Sequence, residues 1–205
     1  MKESLTSRGR SSRKRILEQA AQLVGKKGVR GTSLDDIREA ASVSKSQLYH
    51  YFANKDDLVL AVIEQQACNT LELQQPLLAH LDSWENLERW CELLVRLQEE
   101  AQCTGGCPIG TLANELADLD EAARVALVHA FNQYEQSLLE GFTRMQERGE
   151  LRSDAHPAEL ATVVLASLEG GLLLNKTYKT TQSLQIALHA AFTYARSFAS
   201  RPDAS

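Results

Sequence analysis

The segment CTGGCPIGTLANEL, residues 103–116, places two cysteines four positions apart beside three glycines and a proline. Zinc needs about four ligands, and a single C-x3-C pair without a second Cys or His pair nearby supplies too few. A phosphate loop is excluded because no strand precedes the segment and no Lys-Ser/Thr pair follows it. A disulfide between Cys103 and Cys107 is disfavoured in a reducing compartment and stays open only as a product of oxidation.

Cys107 has two further interpretations, and both stay open at this stage. Pro108 suits the first position of a helix, which makes Cys107 the N-cap of the segment PIGTLANELAD. The positive end of a helix favours a thiolate, and such a thiol can sense oxidants or electrophiles. The alternative is a small buried residue that packs at a helix junction or lines a ligand pocket.

A second chemical signal lies in SKSQLYHYFANKDDL, residues 44–58, where hydroxyl, amide and basic groups recur. Hydroxyl and ammonium groups suit phosphate oxygens, whereas Gln pairs with adenine edges and His contacts base or phosphate. Ser46 is small enough to let its helix approach DNA closely. The predicted DNA-contacting residues are Thr32, Ser33, Ser44, Lys45, Ser46, Gln47, Tyr49, His50 and Lys55.

Charge is unevenly distributed along the chain. Residues 1–60 contain twelve Lys and Arg against seven Asp and Glu, whereas residues 61–205 contain ten against twenty. A basic amino-terminal part joined to an acidic remainder is typical of a protein whose one end binds a polyanion. A solvated basic tail is the simpler alternative that charge alone permits.

The elements that carry these residues are predicted to be helical. Apolar residues recur three and four positions apart, and no segment alternates with a period of two, so the chain is predicted to be all-α with about nine helices. Ser33 with Asp36 predicts a capping box, and Ser44 predicts the N-cap of a third helix. Two short helices joined by the turn SVS, residues 42–44, form a helix-turn-helix pattern.

The run TSLDDIREAASVSKSQLYHYFANKDDLVLAVIE, residues 32–64, resembles the DNA-binding domain of the TetR family of bacterial transcriptional regulators. The shared features are the Thr-Ser start, the Ala-x-Val-Ser turn, and the Leu-Tyr-x-Tyr-Phe and Lys-Asp-x-Leu patterns. Ser42 and Ser46 depart from it, because the family usually has Gly at the first position and often at the second. Ser42 matters if that turn residue needs a positive φ.

This resemblance implies an amino-terminal helix-turn-helix domain of three helices and a carboxy-terminal helical domain for effector binding and dimerisation. It implies a homodimer that binds a palindromic double-stranded DNA operator and releases it when a small-molecule effector binds. The expected division is a disordered basic tail at 1–10, the DNA-binding domain at 11–55, the effector-binding and dimerisation domain at 56–200, and a tail at 201–205.

The segment GCPIGTLANEL, residues 106–116, is similar to a Gly-Cys-…-Leu-Ala-x-Glu-Leu segment of a TetR subgroup. Some members of that subgroup respond to electrophiles or to planar aromatic drugs, and in the electrophile-responsive ones a lysine of the penultimate helix lies near the cysteine. Lys176 is the matching position here, and its charge would favour the thiolate further. The candidate effector and sensor residues are Cys107, Lys176, Trp90, Phe131 and Tyr134.

The segment ATVVLASLEGGLLLN, residues 161–175, is too apolar for an exposed monomer surface and predicts burial or self-association. Gly170 and Gly171 within it permit a close helix approach or mark a kink. No apolar run approaches the ~20 residues of a membrane span, and no secretory signal opens the chain, so a cytoplasmic protein without a membrane partner is expected.

Catalysis is not expected, because His80, His129, His156 and His189 are scattered and no paired carboxylates, nucleophile–base pair or metal ligand set is recognisable. Neither a metal nor a cofactor is predicted. Two other classes remain as alternatives: a helical protein-interaction module without DNA binding, and an enzyme. The basic residues of Arg8–Arg15 and the pair Lys45 and Lys55 favour the DNA-binding interpretation, because an adaptor does not need them.

Overall fold

The structure is a computed structural model that describes residues 6–200. Within that range it contains nine α-helices and one 3-10 turn, and the β-pairing consists of an isolated bridge between Leu151 and Ala199. The prediction of an all-α fold of about nine helices is therefore confirmed.

The amino-terminal helices are α1 (Ser7–Lys27), α2 (Leu34–Ala40), α3 (Lys45–Tyr51) and α4 (Lys55–Glu72). The 3-10 turn Leu77–His80 follows α4. The remaining helices are α5 (Trp84–Glu100), α6 (Pro108–Leu116), α7 (Glu121–Glu147), α8 (Pro157–Tyr178) and α9 (Gln182–Arg196).

The chain divides into two compact units. The first contains the chain up to Asn69 together with Thr111–Ala130, and the second contains Thr70–Gly110 together with the chain from Phe131 onward. This division differs from the predicted boundary between residues 55 and 56. Most of α4, which runs from Lys55 to Glu72, groups with the amino-terminal helices, as do most of α6 and the start of α7.

The predicted disordered tail at 1–10 also differs from the structure over its second half. The helix α1 begins at Ser7, and the Thr6 hydroxyl caps it by accepting a hydrogen bond of 3.2 Å from the Gly9 N–H. Residues 7–10 are therefore helical. Residues 1–5 and the predicted tail at 201–205 lie outside the described residues.

The first unit is built on an apolar stripe of α1, in which Ile16 and Ala20 are fully buried. The helices α1 and α2 pack together, and Ile37 of α2 is 1% exposed. Each of α2 and α3 begins with a capping box, at Ser33 with Asp36 and at Ser44 with Gln47. Both predicted N-caps are confirmed, and they fix where the two short helices begin.

The second unit is held together by a large apolar core around Trp90, Leu138, Phe142 and Met145, all of which are fully buried. The helices α8 and α9 pack closely along their length. At Gly171 an added Cβ would lie 2.7 Å from the Leu184 Cα, so a side chain there would clash with the α9 backbone. The close approach of α8 and α9 thus depends on that glycine.

The helix α8 is the one helix of residues 6–200 that is long and apolar enough, by length and composition alone, to cross a membrane. No apolar segment of that length is expected from the sequence, and α8 differs from this expectation. Its buried residues, including Leu160, Val164 and Leu168, belong to the core of the second unit.

Candidate DNA-binding surface and effector site

The turn between α2 and α3 is a Schellman motif. The Ser42 N–H donates to the Glu39 carbonyl at 3.0 Å, and the Val43 N–H donates to the Arg38 carbonyl at 3.1 Å. Ser42 occupies the left-handed position of this motif with φ of 50°, where glycine is usual. The turn therefore does require a positive φ, and Ser42 adopts it at an energetic cost.

The helix α3 exposes one polar face. Leu48 and Phe52 are 1% and 3% exposed and pack into the first unit, whereas Tyr49 is 47% exposed. The other predicted contact residues of this segment are exposed as well, namely Ser44, Lys45, Ser46, Gln47 and His50. The six exposed side chains therefore form the polar surface of the second helix of a helix-turn-helix, which is the helix that enters the major groove in this motif.

Gln47 is committed to the capping box in this structure. Its N–H donates to the Ser44 hydroxyl at 3.2 Å, and its side-chain Oε1 accepts from the Ser44 N–H at 2.9 Å. A two-bond contact with adenine uses both the oxygen and the nitrogen of the Gln amide. To read adenine that way, Gln47 must give up the hydrogen bond that caps α3.

Two of the other predicted contacts have local partners. The Lys45 ammonium lies 5.9 Å from the ring centre of Tyr49, and the His50 ring packs edge-on against the Tyr51 ring at 4.9 Å. Both Lys45 and Tyr49 stay exposed, so the ammonium group and the hydroxyl remain accessible to phosphate.

Thr32 is a correction to the predicted surface. It is 1% exposed, and its hydroxyl donates to the Gly28 carbonyl at 2.8 Å. Its side chain is therefore used to close the connection between α1 and α2 and is not offered to DNA. Ser33 stays exposed, but its hydroxyl donates to the Asp36 carboxylate at 2.7 Å as part of the capping box.

Lys55 is half-buried at the first position of α4. The Asp57 N–H is capped by the Asn54 Oδ1 at 2.8 Å. The first turn also carries the carboxylates of Asp56 and Asp57, which oppose the positive end of the helix. The sequence predicts that the start of α4 binds phosphate. In this structure the Lys55 ammonium, more than the helix dipole, would attract the phosphate.

Glu115 is a residue of the first unit whose contacts sequence reasoning missed. Its carboxylate, in α6, accepts hydrogen bonds from the N–H groups of Val29 and Arg30 at 2.8 and 2.9 Å. Gly28, with φ of 74°, leaves the room that this carboxylate occupies, because an added Cβ would lie 3.1 Å from both oxygens. The connection that leads into the helix-turn-helix is thus held by a side chain far along the chain.

In the second unit, Trp90, Gln74 and Tyr134 form a buried polar chain. The Trp90 indole N–H donates to the Gln74 Oε1 at 2.8 Å, and the Gln74 Nε2 donates to the Tyr134 hydroxyl and to the Thr70 carbonyl. Trp90, Gln74 and Tyr134 are 0%, 2% and 6% exposed, and burial raises the pKa of the tyrosine. No sequence signal marked Gln74, because its partners lie 16 and 60 residues away.

Cys107 does occupy the N-cap position of α6, where its Sγ accepts a hydrogen bond from the Gly110 N–H at 3.3 Å. The predicted preference for thiolate is nevertheless wrong for this structure. Burial, followed by the negative charge of Glu169, raises the pKa of the Cys107 thiol to about 12. These two effects outweigh the positive end of the helix, which favours the thiolate.

Lys176 lies beside the segment that leads to Cys107. Its aliphatic stem packs beside Gly106, where an added Cβ would lie 3.3 Å from the Lys176 Cδ. The charged side chain of Glu169, in α8, acts on the Cys107 thiol. The neighbouring Lys179 ammonium donates to the Cys103 carbonyl at 3.3 Å. Phe131, the remaining candidate effector residue, is half-buried in α7.

The other chemical possibilities for the cysteines can be compared with the structure directly. The four cysteines, all within residues 6–200, form no disulfide. Residues 6–200 contain no group of three or more His, Cys, Asp or Glu side chains that could hold a metal ion.

The fold and the polar face of α3 define a DNA-binding transcriptional regulator of the helix-turn-helix class. Residues 16–62 match the family described as "Bacterial regulatory proteins, tetR family", and residues 83–191 match "Tetracyclin repressor-like, C-terminal domain". The chain belongs to the TetR family. The members matched are transcriptional regulators, and the protein is not an enzyme.

Individual relatives agree with this assignment. An uncharacterised helix-turn-helix transcriptional regulator of Lactococcus lactis is 32% identical over 86% of this chain and 88% of its own length. The transcriptional regulator AcuR of Cereibacter sphaeroides is 34% identical over 73% of this chain and 69% of its own. A TetR transcriptional regulator of Chloroflexus aurantiacus, known from its crystal structure, is 25% identical with a TM-score of 0.83 and covers 95% of this chain and 98% of its own.

Proposed function

We propose that this protein is a homodimeric repressor of the bacterial cytoplasm that binds a palindromic DNA operator and is released by a small-molecule effector. The observation that carries the proposal is the exposed polar face of α3, presented by a Schellman turn and anchored by the buried Leu48. A helix held in this way can enter the major groove without losing its packing.

Residues of three kinds act on the DNA in this proposal. Lys45, Tyr49 and Lys55 bind phosphate oxygens and set the position of α3 on the duplex, which contributes affinity but little sequence preference. Gln47 and His50 lie on the same exposed face and read base edges. Ser46, also exposed, is small enough to let the backbone of α3 approach the base edges.

Dimerisation through α8 and α9 is supported by their outward faces. An added Cβ at Gly170 meets no atom within 4 Å, so α8 carries a glycine on an open side. Large apolar side chains on the same two helices are also solvent-exposed, namely Leu173, Leu174, Tyr178, Ile186 and Tyr194. A small residue among exposed apolar ones is the composition that lets two helix pairs pack closely. A two-fold dimer would place two copies of α3 about one DNA turn apart, hence the palindrome.

Effector control is proposed to act from the second unit. An effector weakens operator binding only if it prefers the state of the protein that fits DNA poorly, so its effect is a coupling free energy between two sites. The raised pKa of the Cys107 thiol favours reversible binding of a small molecule over thiol modification in the resting protein.

The proposal is tested by fluorescence anisotropy with a labelled palindrome from the region upstream of the protein's own gene. The binding constant is expected to fall linearly with salt on a logarithmic plot, because basic side chains release counterions from the DNA. A scrambled duplex of the same length is the control. Absence of binding to either duplex would leave a helical interaction module as the better interpretation, and equal binding to both would show that the protein does not recognise this palindrome.

A further inference from the structure

The helices α5 and α9 pack against each other and leave a cleft of about 390 Å³ between them, within the second unit. This volume lies in the range of roughly 300–1,000 Å³ that small-molecule sites in proteins occupy. The lining side chains recur three and four positions apart, so they come from one face of each helix. Ile186 and Tyr194, the exposed apolar residues of α9 on the proposed dimer face, are not part of this lining. The cleft and the proposed dimer interface are therefore distinct surfaces of α9.

One part of the cleft is apolar. Leu188 and Phe192 of α9 are buried, and Cys91 and Val95 of α5 are half-buried. Methylene groups of a ligand that pack on this surface leave water, and each buried methylene contributes favourable free energy. The cleft is therefore suited to an aliphatic chain.

The α5 wall of the same cleft is acidic. The exposed side chains of Glu88, Glu92 and Glu99 all line it. Glu88 is paired with Arg196 of α9. Within residues 6–200, the ion pairs include neither Glu92 nor Glu99, nor Arg96, which is the cation of α5 that lines the cleft. The cleft thus offers two carboxylates that other side chains do not neutralise.

The spacing of these two carboxylates sets the shape of a matching ligand. Glu92 and Glu99 are seven positions apart, which is close to two full turns of α5, so they face the same side of the helix about 10 Å apart along its axis. Arg96 lies about one turn from each of them. Its side chain is exposed and long enough to extend into water when the carboxylates are occupied.

We propose that the cleft between α5 and α9 binds a linear aliphatic diamine, with one ammonium group at Glu92, the other at Glu99, and the methylene chain on Leu188 and Phe192. This inference goes beyond the proposed function, because it assigns a binding site that does not depend on DNA binding. Each ammonium group donates charge-assisted hydrogen bonds to its carboxylate. A ligand with a single charge would leave one of the two carboxylates unpaired.

The test is isothermal titration calorimetry without DNA, at low ionic strength because salt screens exposed charges. The probes are octamethylenediamine, which can reach both carboxylates, and octylamine, which has the same chain and one charge. The wild-type protein is expected to bind the diamine about fivefold more tightly, since an ion pair with an exposed carboxylate contributes modestly. In Glu99→Gln this ratio is expected to fall to about one. Glu100→Gln, an exposed neighbour that does not line the cleft, is the matched control and should keep the wild-type ratio.

The length of the diamine gives a second measurement that needs no variant. Tetramethylenediamine carries the same two charges, but it is too short to span two helical turns and has fewer methylene groups to bury. It is expected to bind at least about tenfold more weakly than octamethylenediamine. A ratio near one for this pair would show that neither the spacing of the carboxylates nor the apolar surface selects the ligand.

Four other outcomes would also overturn the inference. They are no measurable binding of octamethylenediamine, equal affinities of the wild type for this diamine and octylamine, a preference that survives in Glu99→Gln, and an equal loss of preference in Glu100→Gln. Circular dichroism checks that both variants are folded, which is expected because Glu99 and Glu100 are exposed. No DNA is present in these titrations, so their failure would leave the repressor proposal unchanged.

Discussion

The carboxylate of Glu115 accepts a hydrogen bond of 2.8 Å from the backbone N–H of Val29, which lies 86 residues earlier in the chain. The adjoining Arg30 N–H donates to the other oxygen of the same carboxylate. These two N–H groups lie just beyond the end of α1, in the connection that leads to the helix-turn-helix. One side chain of α6 therefore accepts hydrogen bonds from two backbone N–H groups that lie outside the helices.

Glu115→Ala is expected to lower the free energy of unfolding by about 2 kcal/mol, because two backbone donors lose a charged acceptor. The loss should also weaken operator binding, since the connection between α1 and α2 supports the helix-turn-helix. Urea denaturation followed by circular dichroism measures the first effect, and anisotropy with labelled DNA measures the second. Asn114→Ala, at the exposed neighbouring position of α6, is the control and should change neither quantity appreciably.

Gln47→Ala is expected to relax sequence preference at particular base pairs of the operator, with a cost of about 1–3 kcal/mol for the preferred base. Gln47→Glu is a useful companion, because Glu can still complete the capping box with Ser44 but repels DNA. By contrast, Lys55→Ala should weaken binding to all sequences alike and reduce the salt slope by about one. Titration of a panel of single-base operator variants distinguishes the two patterns; uniform weakening by Gln47→Ala would show that it contacts no base.

Ser42→Gly is expected to stabilise the protein by about 0.5–1 kcal/mol, because glycine adopts the positive φ of the Schellman turn without a steric cost. The measurement is the midpoint of thermal unfolding. Ser46→Gly is the matched control, since it introduces the same residue inside α3 and should destabilise by up to about 1 kcal/mol. Destabilisation by both changes would mean that the left-handed position is not strained.

Two adjacent glycines of α8 are expected to respond oppositely to substitution. Gly170→Gln adds a large polar side chain in open space, so the protomer should stay folded while the proposed dimer dissociates. Gly171→Ala places a Cβ against Leu184 of α9 and should destabilise the protomer by about 1–3 kcal/mol. Analytical ultracentrifugation and thermal unfolding separate the two effects. A fully dimeric Gly170→Gln protein would place the dimer interface elsewhere.

The Cys107 thiol is expected to resist alkylation near neutral pH. A pKa of about 12 instead of 9.0 leaves about a thousandth of the ordinary thiolate fraction. Peptide mapping after treatment with iodoacetamide should therefore find Cys68, which is exposed, modified first. Glu169→Gln should speed alkylation of Cys107, since it removes one of the two main causes of the raised pKa.

The raised pKa of Cys107 also sets the direction of its effect on stability. Between pH 9 and pH 12 the unfolded chain loses the thiol proton while the folded chain keeps it, so unfolding becomes more favourable as pH rises. Cys107→Ser should reduce this alkaline loss of stability. Rapid alkylation of Cys107 in the native protein at neutral pH would contradict both expectations.

The amino-terminal half of the site was predictable from sequence because its interactions are short in range. The capping boxes join Ser33 to Asp36 and Ser44 to Gln47, each three residues apart, and the Schellman turn closes within six residues. The apolar spacing of Leu48 and Phe52 likewise follows from one helical turn. Thr32 escaped prediction, since a hydroxyl in a local pattern does not reveal whether it is buried.

The site in the second unit illustrates the limit of the same reasoning. The N-cap position of Cys107 followed from Pro108, which is a local signal. The ionisation of its thiol depends on burial and on Glu169, which belongs to another helix, and neither can be read from the segment around the cysteine. Gln74 joins Trp90 to Tyr134 in the same way, across three separate elements.

The all-α class, the helix-turn-helix and the starts of its helices could therefore be predicted from the residues themselves, because these features depend on residues within one or two turns of each other. Which side chains share a buried environment depends on how the helices pack. This packing paired Glu115 with Val29 and Arg30, brought Glu169 to Cys107, and turned Thr32 inward. Desolvation and charge act between groups that are close in space, and distance along the chain does not encode that proximity.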